Sequence, residues 1–163
     1  REMKLRHVIV AGILAAAAFA TSASAQSLVS TIGADRMAGY LRQKGLTVVE
    51  ITASQSNGNP IINAKMGNTI FQVLFYSCDT AVVRSCSRVQ FRGDYETPTA
   101  PMDKLNKYNN DWVFGKAYMY DATHSSIEYP VALDFGISEQ NLLNSIDLWT
   151  DILTKFEAQV ING

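Results

Sequence analysis

The sequence predicts an α+β domain: one mainly antiparallel sheet of about six strands with three helices packed on it. Three observations predict it. Two β-rich runs flank the tight-turn pair Gly67-Asn68. Val89, Phe91, Gly93 and Tyr95 alternate with Arg88, Gln90, Arg92 and Asp94, the period of a strand with one wet face. Leu142, Ile146, Trp149, Leu153, Phe156 and Val160 recur at steps of four and three, the period of an amphipathic helix.

In chain order the elements are helix, four strands, helix, two strands, helix. Residues 26–31 are small and polar and read as a flexible lead-in. Met37, Tyr40, Leu41 and Lys44 have helical spacing, and Gly45 suits the position that ends a helix. Leu46–Ala53 is rich in β-branched residues and leads into the turn Ser56-Asn57-Gly58-Asn59-Pro60. Ile61–Met66 and Thr69–Tyr76 form the hairpin around Gly67-Asn68. The second of these is apolar on both faces, so it belongs in the middle of the sheet, where no edge invites aggregation.

After the alternating strand, Pro98 and Pro101 break the pattern, and Pro101 suits the start of a short helix from Met102 to about Asn109. Val113–Tyr120 and Ile127–Asp134 read as two strands around a polar turn at Asp121–Ser126. Pro130 has no amide hydrogen to donate and places its strand at or near an edge. Ser138 caps the last and longest helix, whose wet side carries Asn144, Asp147, Asp151 and Lys155.

The chain has 163 residues, 14 Lys+Arg against 15 Asp+Glu, and a net charge of -1. That balance disfavours a nucleic-acid arm, and 47% hydrophobic residues disfavour disorder. Residues 1–25 read as a secretory signal. Lys4, Arg6 and His7 precede an apolar run from Val8 to Ala20, and Ala23-Ser24-Ala25 is a small-x-small site with Gln26 as the new terminus. The run is shorter than the roughly 20 residues a permanent span needs. Cleavage after Ala25 would remove Arg1, Lys4, Arg6 and Glu2 and leave 11 basic and 14 acidic residues, a net of -3. The expectation is a single exported domain over residues 26–163, periplasmic or secreted, without stable membrane insertion.

Cys78 and Cys86 are the only cysteines. In an oxidising compartment they are expected to form a structural disulfide across neighbouring strands, worth about 2.5 kcal/mol for a loop of about nine residues. Two thiols and one distant histidine are too few ligands for zinc, and the Cys-x-x-Cys spacing of a catalytic dithiol is absent. No cofactor motif is present.

His124 is the single histidine of the mature chain and lies in a predicted turn; with Asp121 it is the one arrangement that could serve a small hydrolase or ligand-binding enzyme. Asp94 and Glu96 share a strand face and read as a wet edge before a cation site. Arg84, Arg88 and Arg92 could line up as an anion patch for a local acidic partner. The most unusual stretch is Asn106-Lys107-Tyr108-Asn109-Asn110-Asp111-Trp112. Its amides either tie the short helix to the next strand or form a polar and aromatic lip for a peptide or protein.

Gly58-Asn59-Pro60-Ile61, Gly67, Phe71-Gln72-Val73-Leu74-Phe75-Tyr76 and Cys78 resemble the first half of the YbjN family, bacterial proteins called putative sensory transduction regulators. Asn106-Lys107-Tyr108-Asn109 is similar to the family's Asn-x-Trp-Asn element, and Gly136-Ile137-Ser138 before Leu142, Trp149 and Phe156 is similar to its closing helix. Tyr108 and Phe135 stand where the family often has Trp and Gly. The resemblance implies a fold like that of type III secretion chaperones, which are often dimers holding extended client segments, and it supplies no catalytic residues. The function expected is therefore a non-enzymatic binding or regulatory protein without a cofactor, with a protein or peptide partner and a homodimer as an option. The partner surface expected is the sheet together with Asn106, Tyr108, Asn109 and Trp112.

Overall fold

The computed structural model describes residues 27–80, 84–97, 99 and 101–163. The leader expected over residues 1–25 lies outside them. The elements run β1 (Leu28–Val29), α1 (Ala34–Gln43), β2 (Thr47–Ala53), β3 (Pro60–Met66), β4 (Thr69–Cys78) and β5 (Cys86–Glu96). They continue with α2 (Met102–Asp111), β6 (Lys116–Met119), β7 (His124–Ala132), β8 (Ile137–Ser138) and α3 (Glu139–Phe156), which ends in a π-helical turn over Glu157–Ile161. This is the α+β class expected from the sequence.

Six strands form one antiparallel sheet in the order β2-β3-β4-β5-β7-β6. β4, apolar on both faces, takes an interior place. All three helices pack on one face. Trp149 of α3 stacks on Phe91 (5.6 Å between ring centres) and meets Phe71 at 5.8 Å. Phe156 sits against Tyr95 and, edge-on, Tyr108 of α2. Arg36 of α1 and Lys44 just past its end pair with Glu139 and Asp147 of α3, so α1 lies beside it. The core is the layer between, where Met37, Leu41, Phe71, Phe91, Ile146 and Trp149 are essentially inaccessible to water. Burying side chains of that size at about 25 cal/mol per Å² is the main source of stability.

Ser138 caps α3 as expected, its hydroxyl accepting from the Asn141 amide at 3.1 Å. Pro130 also fits its expectation. Leu133 N donates to Ser87 O, so alternation in the Arg88–Ala132 register turns the Pro130 nitrogen away from β5. On that other side β6 pairs no further than Glu128, and the missing amide hydrogen forfeits no ladder bond.

Four expectations are corrected. The lead-in is not loose: Leu28–Val29 pairs with β8, and Ile32 exchanges two backbone hydrogen bonds with Cys86. Val29 and Ile32, a thin apolar signal among polar neighbours, are buried. The strand expected over Val113–Tyr120 shrinks to β6, because α2 runs on to Asp111 and the chain turns at Gly115 with φ +85. The turn expected over Asp121–Ser126 is shorter, since β7 begins at His124 and buries Ser125 and Ser126. Their polarity reads as a turn, but Ser126 Oγ donates to Asp94 on the neighbouring strand. Finally, β7 stops at Ala132 because the chain bends through Phe135 at φ +66.

Candidate functional site

With every helix on one side, the other face of the sheet is uncovered among the described residues. One polar side chain from each of the six strands lies in register across it: Glu50, Asn63, Gln72, Arg92, Glu128 and Lys116. Asn63 Nδ2 donates to Glu50 Oε1 at 2.7 Å, and Gln72 Nε2 donates to Asn63 Oδ1 at 2.9 Å. Further along, Tyr118 OH donates to Glu128 Oε1 and Lys116 lies over the Tyr118 ring. Arg92 donates to Asp94 at 2.9 Å beneath the ring of Tyr120, with 4.3 Å from guanidinium to ring centre. The row was not visible in the sequence. Each member is an ordinary polar position of its own strand, and only register aligns them.

Two clefts open on this face beside the row. One, about 530 Å³, runs over Tyr76, Arg88, Gln90, Pro130 and Ala132. The other, about 460 Å³, runs over Ser54, Ile61, Leu74, Arg92 and Tyr120. Asn57, Asn59 and Tyr76 line both, so the turn between β2 and β3 is their shared wall. Both volumes fall in the range of about 300–1,000 Å³ usual for ligand pockets. Arg88 and Arg92 do share a strand face, but each is paired, with Asp134 at 3.0 Å and Asp94 at 2.9 Å. Arg84 precedes β5 and reaches instead for the turn, donating to Asn57 O and Asn59 Oδ1. The three arginines thus do not make one cationic patch.

The Asn106–Trp112 segment divides into structural and exposed residues. Asn109 Nδ2 donates to Ala117 O at 2.8 Å, and Ala117 N donates to Asn109 Oδ1 at 2.9 Å. The amide thereby ties α2 to β6. Tyr108 is 1% exposed, and burial pushes its phenol up to about 12. A side chain at that depth packs the core and offers no surface to a partner. Asn106 is exposed. Trp112 is half-buried, its indole N–H donating to Gln159 at 3.0 Å while Lys155 Nζ lies 3.9 Å from the ring centre. The apolar lip lies just beyond: Val113 is 91% and Phe114 53% exposed. Sequence reasoning placed both in a strand and so missed them; Gly115 two residues later was the signal for a loop.

Asp121 and His124 meet, with Nδ1 at 2.9 and 3.0 Å from the two carboxylate oxygens. The Thr123 backbone amide and then the imidazole hold the Asp121 carboxyl down to about 2. Thr123 contacts the same ring nitrogen, and neither His124 nor Asp121 lines the two clefts. Such an arrangement ties a hairpin turn together, and among the described residues no side chain hydrogen-bonds the other ring nitrogen. Asp94 is engaged by Arg92 and Ser126, and no three His, Cys, Asp or Glu side chains converge on a metal-sized site among the described residues. Cys78 and Cys86 are joined as a disulfide across β4 and β5.

The family model of YbjN, "Putative bacterial sensory transduction regulator", matches residues 33–162. Among solved structures, the crystal structure of YbjN, a putative transcription regulator from E. coli, superposes with a TM-score of 0.50 at 15% identity. The alignment covers 81% of this chain and 96% of that one. At that identity the likeness speaks for the fold alone. No curated protein matches the sequence.

Proposed function

This chain belongs to the YbjN family, and from that premise we propose that it is a non-enzymatic regulatory domain of the bacterial envelope. In this reading it binds a protein or peptide on the uncovered face of its sheet. The observation that carries the reading is the one-sided packing of α1, α2 and α3, which leaves a six-stranded face with two joined clefts. The exposed pair Val113 and Phe114 beside Trp112 supports a second contact at the lip. Export rests on the leader-like residues 1–25, and the disulfide is in keeping with an oxidising compartment.

Two measurements test this. Intact-mass analysis of periplasmic and cytosolic fractions should find a chain beginning at Gln26 in the periplasm; a full-length species in the cytosol refutes export. Capture from periplasmic extract should be compared for the wild type, Tyr76→Ala/Gln90→Ala on the face and Val113→Ser/Phe114→Ser on the lip. A specific partner held by the wild type and lost by the face variant is expected. Equal capture by all three, or none above background, refutes the reading. Light scattering of the same samples reports whether the domain is a homodimer.

A further inference from the structure

We propose that the Cys78–Cys86 disulfide governs the shape of the two outer-face clefts at a distance, with Arg84 as the arm that transmits it. The proposal rests on the reading that a partner uses this face, and it names a control on that site. The shared wall of the clefts is the Ser54–Asn59 turn. Within it Ser54 N donates to Asn59 O and Gly58 N donates to Ser54 O, both at 2.8 Å. Two contacts fix the turn from outside. Asn59 Nδ2 donates to Phe75 O on β4 at 3.1 Å. From the other side Arg84 Nη1 donates to Asn57 O at 3.0 Å and Asn59 Oδ1 at 2.8 Å.

Gly58 is part of the same device. Its φ is +68, and a Cβ there would stand 3.2 Å from Arg84 Nη2. The residue admits both the turn and the guanidinium lying against it. No carboxylate pairs with Arg84 among the described residues, so this turn is what holds its charged group.

Arg84 can hold the turn only if its own backbone is held. It stands two residues before Cys86, which is tied to Cys78 by the disulfide and to Ile32 by two backbone bonds. Asp79 N donates to Ser85 O at 3.0 Å, and Ser85 N donates to the Asp79 side chain at 3.1 Å. These bonds sit at the loop end of the β4–β5 hairpin, just beyond its last ladder pair, Cys78 and Cys86. The disulfide locks that pair.

Opening it is a two-electron step that a dithiol can supply. A thiolate of the dithiol attacks Sγ of Cys78, the more exposed of the two residues. The S–S bond breaks, and Cys86 leaves as a thiolate that takes up a proton. The second thiol of the reagent then displaces Cys78, which is protonated in turn, and the reagent ends as its own cyclic disulfide.

The test is amide hydrogen exchange on the mature chain without any partner. It compares the oxidised wild type, the same protein reduced with dithiothreitol, Cys78→Ala/Cys86→Ala, and Arg84→Ala with the disulfide intact. The amides of Ser54 and Gly58 should exchange about tenfold faster in the last three. In Arg84→Ala those of Val73 and Phe91 keep their protection, whereas in the reduced protein and the cysteine variant they follow the global loss of stability. Unchanged exchange at Ser54 and Gly58 in Arg84→Ala overturns the proposal. So does reduction that accelerates only Asp79 and Ser85. If the cysteine variant does not fold, Arg84→Ala and the reduced wild type decide between these outcomes. Since no partner is present, this result is independent of the capture experiment: a braced turn with no ligand on the face would sink the functional reading alone.

Discussion

The side chain of Asn109 pairs with the backbone of Ala117 in the way a neighbouring strand would, giving one hydrogen bond and accepting one. Ala117 is buried and lies on β6, the edge strand of the sheet. That amide adds a polar tie between the sheet and the short helix α2, whose Leu105 and Tyr108 are buried in the core. Asn109→Ala leaves the part-buried N–H and C=O of Ala117 without these partners and should lower stability by about 1 kcal/mol. Asn109→Asp keeps the acceptor only and should lie between. Urea unfolding at neutral pH measures both; a loss below the error of the fit would show that the pairing is dispensable.

Phe135 is fully exposed and adopts φ +66, a left-handed conformation that costs a bulky residue about 1–2 kcal/mol. Its side chain buries nothing in return. Phe135→Gly should therefore raise stability by about 0.5–1 kcal/mol, after the greater freedom of glycine in the unfolded chain is counted. A rise in the urea midpoint with unchanged slope is the expected signature. A fall would mean that the ring makes a stabilising contact in solution.

Removing the disulfide as Cys78→Ala/Cys86→Ala should cost about 2.5 kcal/mol, the loop-closure entropy of a bridge spanning about nine residues. The separation is 8 positions in sequence. Comparing this variant with reduced wild type separates the loss of the bond from the loss of the buried Cys86 sulfur. Agreement within about 1 kcal/mol is expected.

Tyr108 and Tyr118 are both pushed up to about 12, chiefly by burial. A folded phenol that holds its proton more tightly than the unfolded one contributes stability that is complete below pH 10 and is lost as pH rises from 10 through 12. Alkaline unfolding monitored by circular dichroism should fall in that window. Tyr108→Phe, which gives up only a 3.5 Å contact to Ile152 O, should flatten the slope there and change stability little at pH 7. An unaltered alkaline slope would contradict the assignment.

Much of the fold was legible because its signals are local. The steps from Leu142 to Val160 mark one face of a helix whichever partner lies under it, and that face is the buried one. Gly67-Asn68 sets a hairpin without reference to anything beyond its two strands. The errors arise where a distant contact overrides local character. Ser125 and Ser126 look like a turn but are held in a strand beside Tyr95 and Asp94. Leu28 and Val29 look like a tail until β8, more than a hundred positions later, offers them a partner.

The candidate site divides in the same way. Asn106, Tyr108, Asn109 and Trp112 stood out by composition, and the structure separates the buried Tyr108 and the clamping Asn109 from the exposed Asn106 and the half-buried Trp112. Residue types and their periodicity were enough to determine the α+β class and the order of the three helices and the six strands of the main sheet, though not β1 and β8, because secondary structure follows from side-chain spacing along one short segment. Only the tertiary structure decided that the helices share one face. It alone brought Glu50, Asn63, Gln72, Arg92, Glu128 and Lys116 into one row and Arg84 onto the turn at Gly58. Strand order and register join segments far apart in the chain, and they are chosen by the packing of the whole core, which no local window contains.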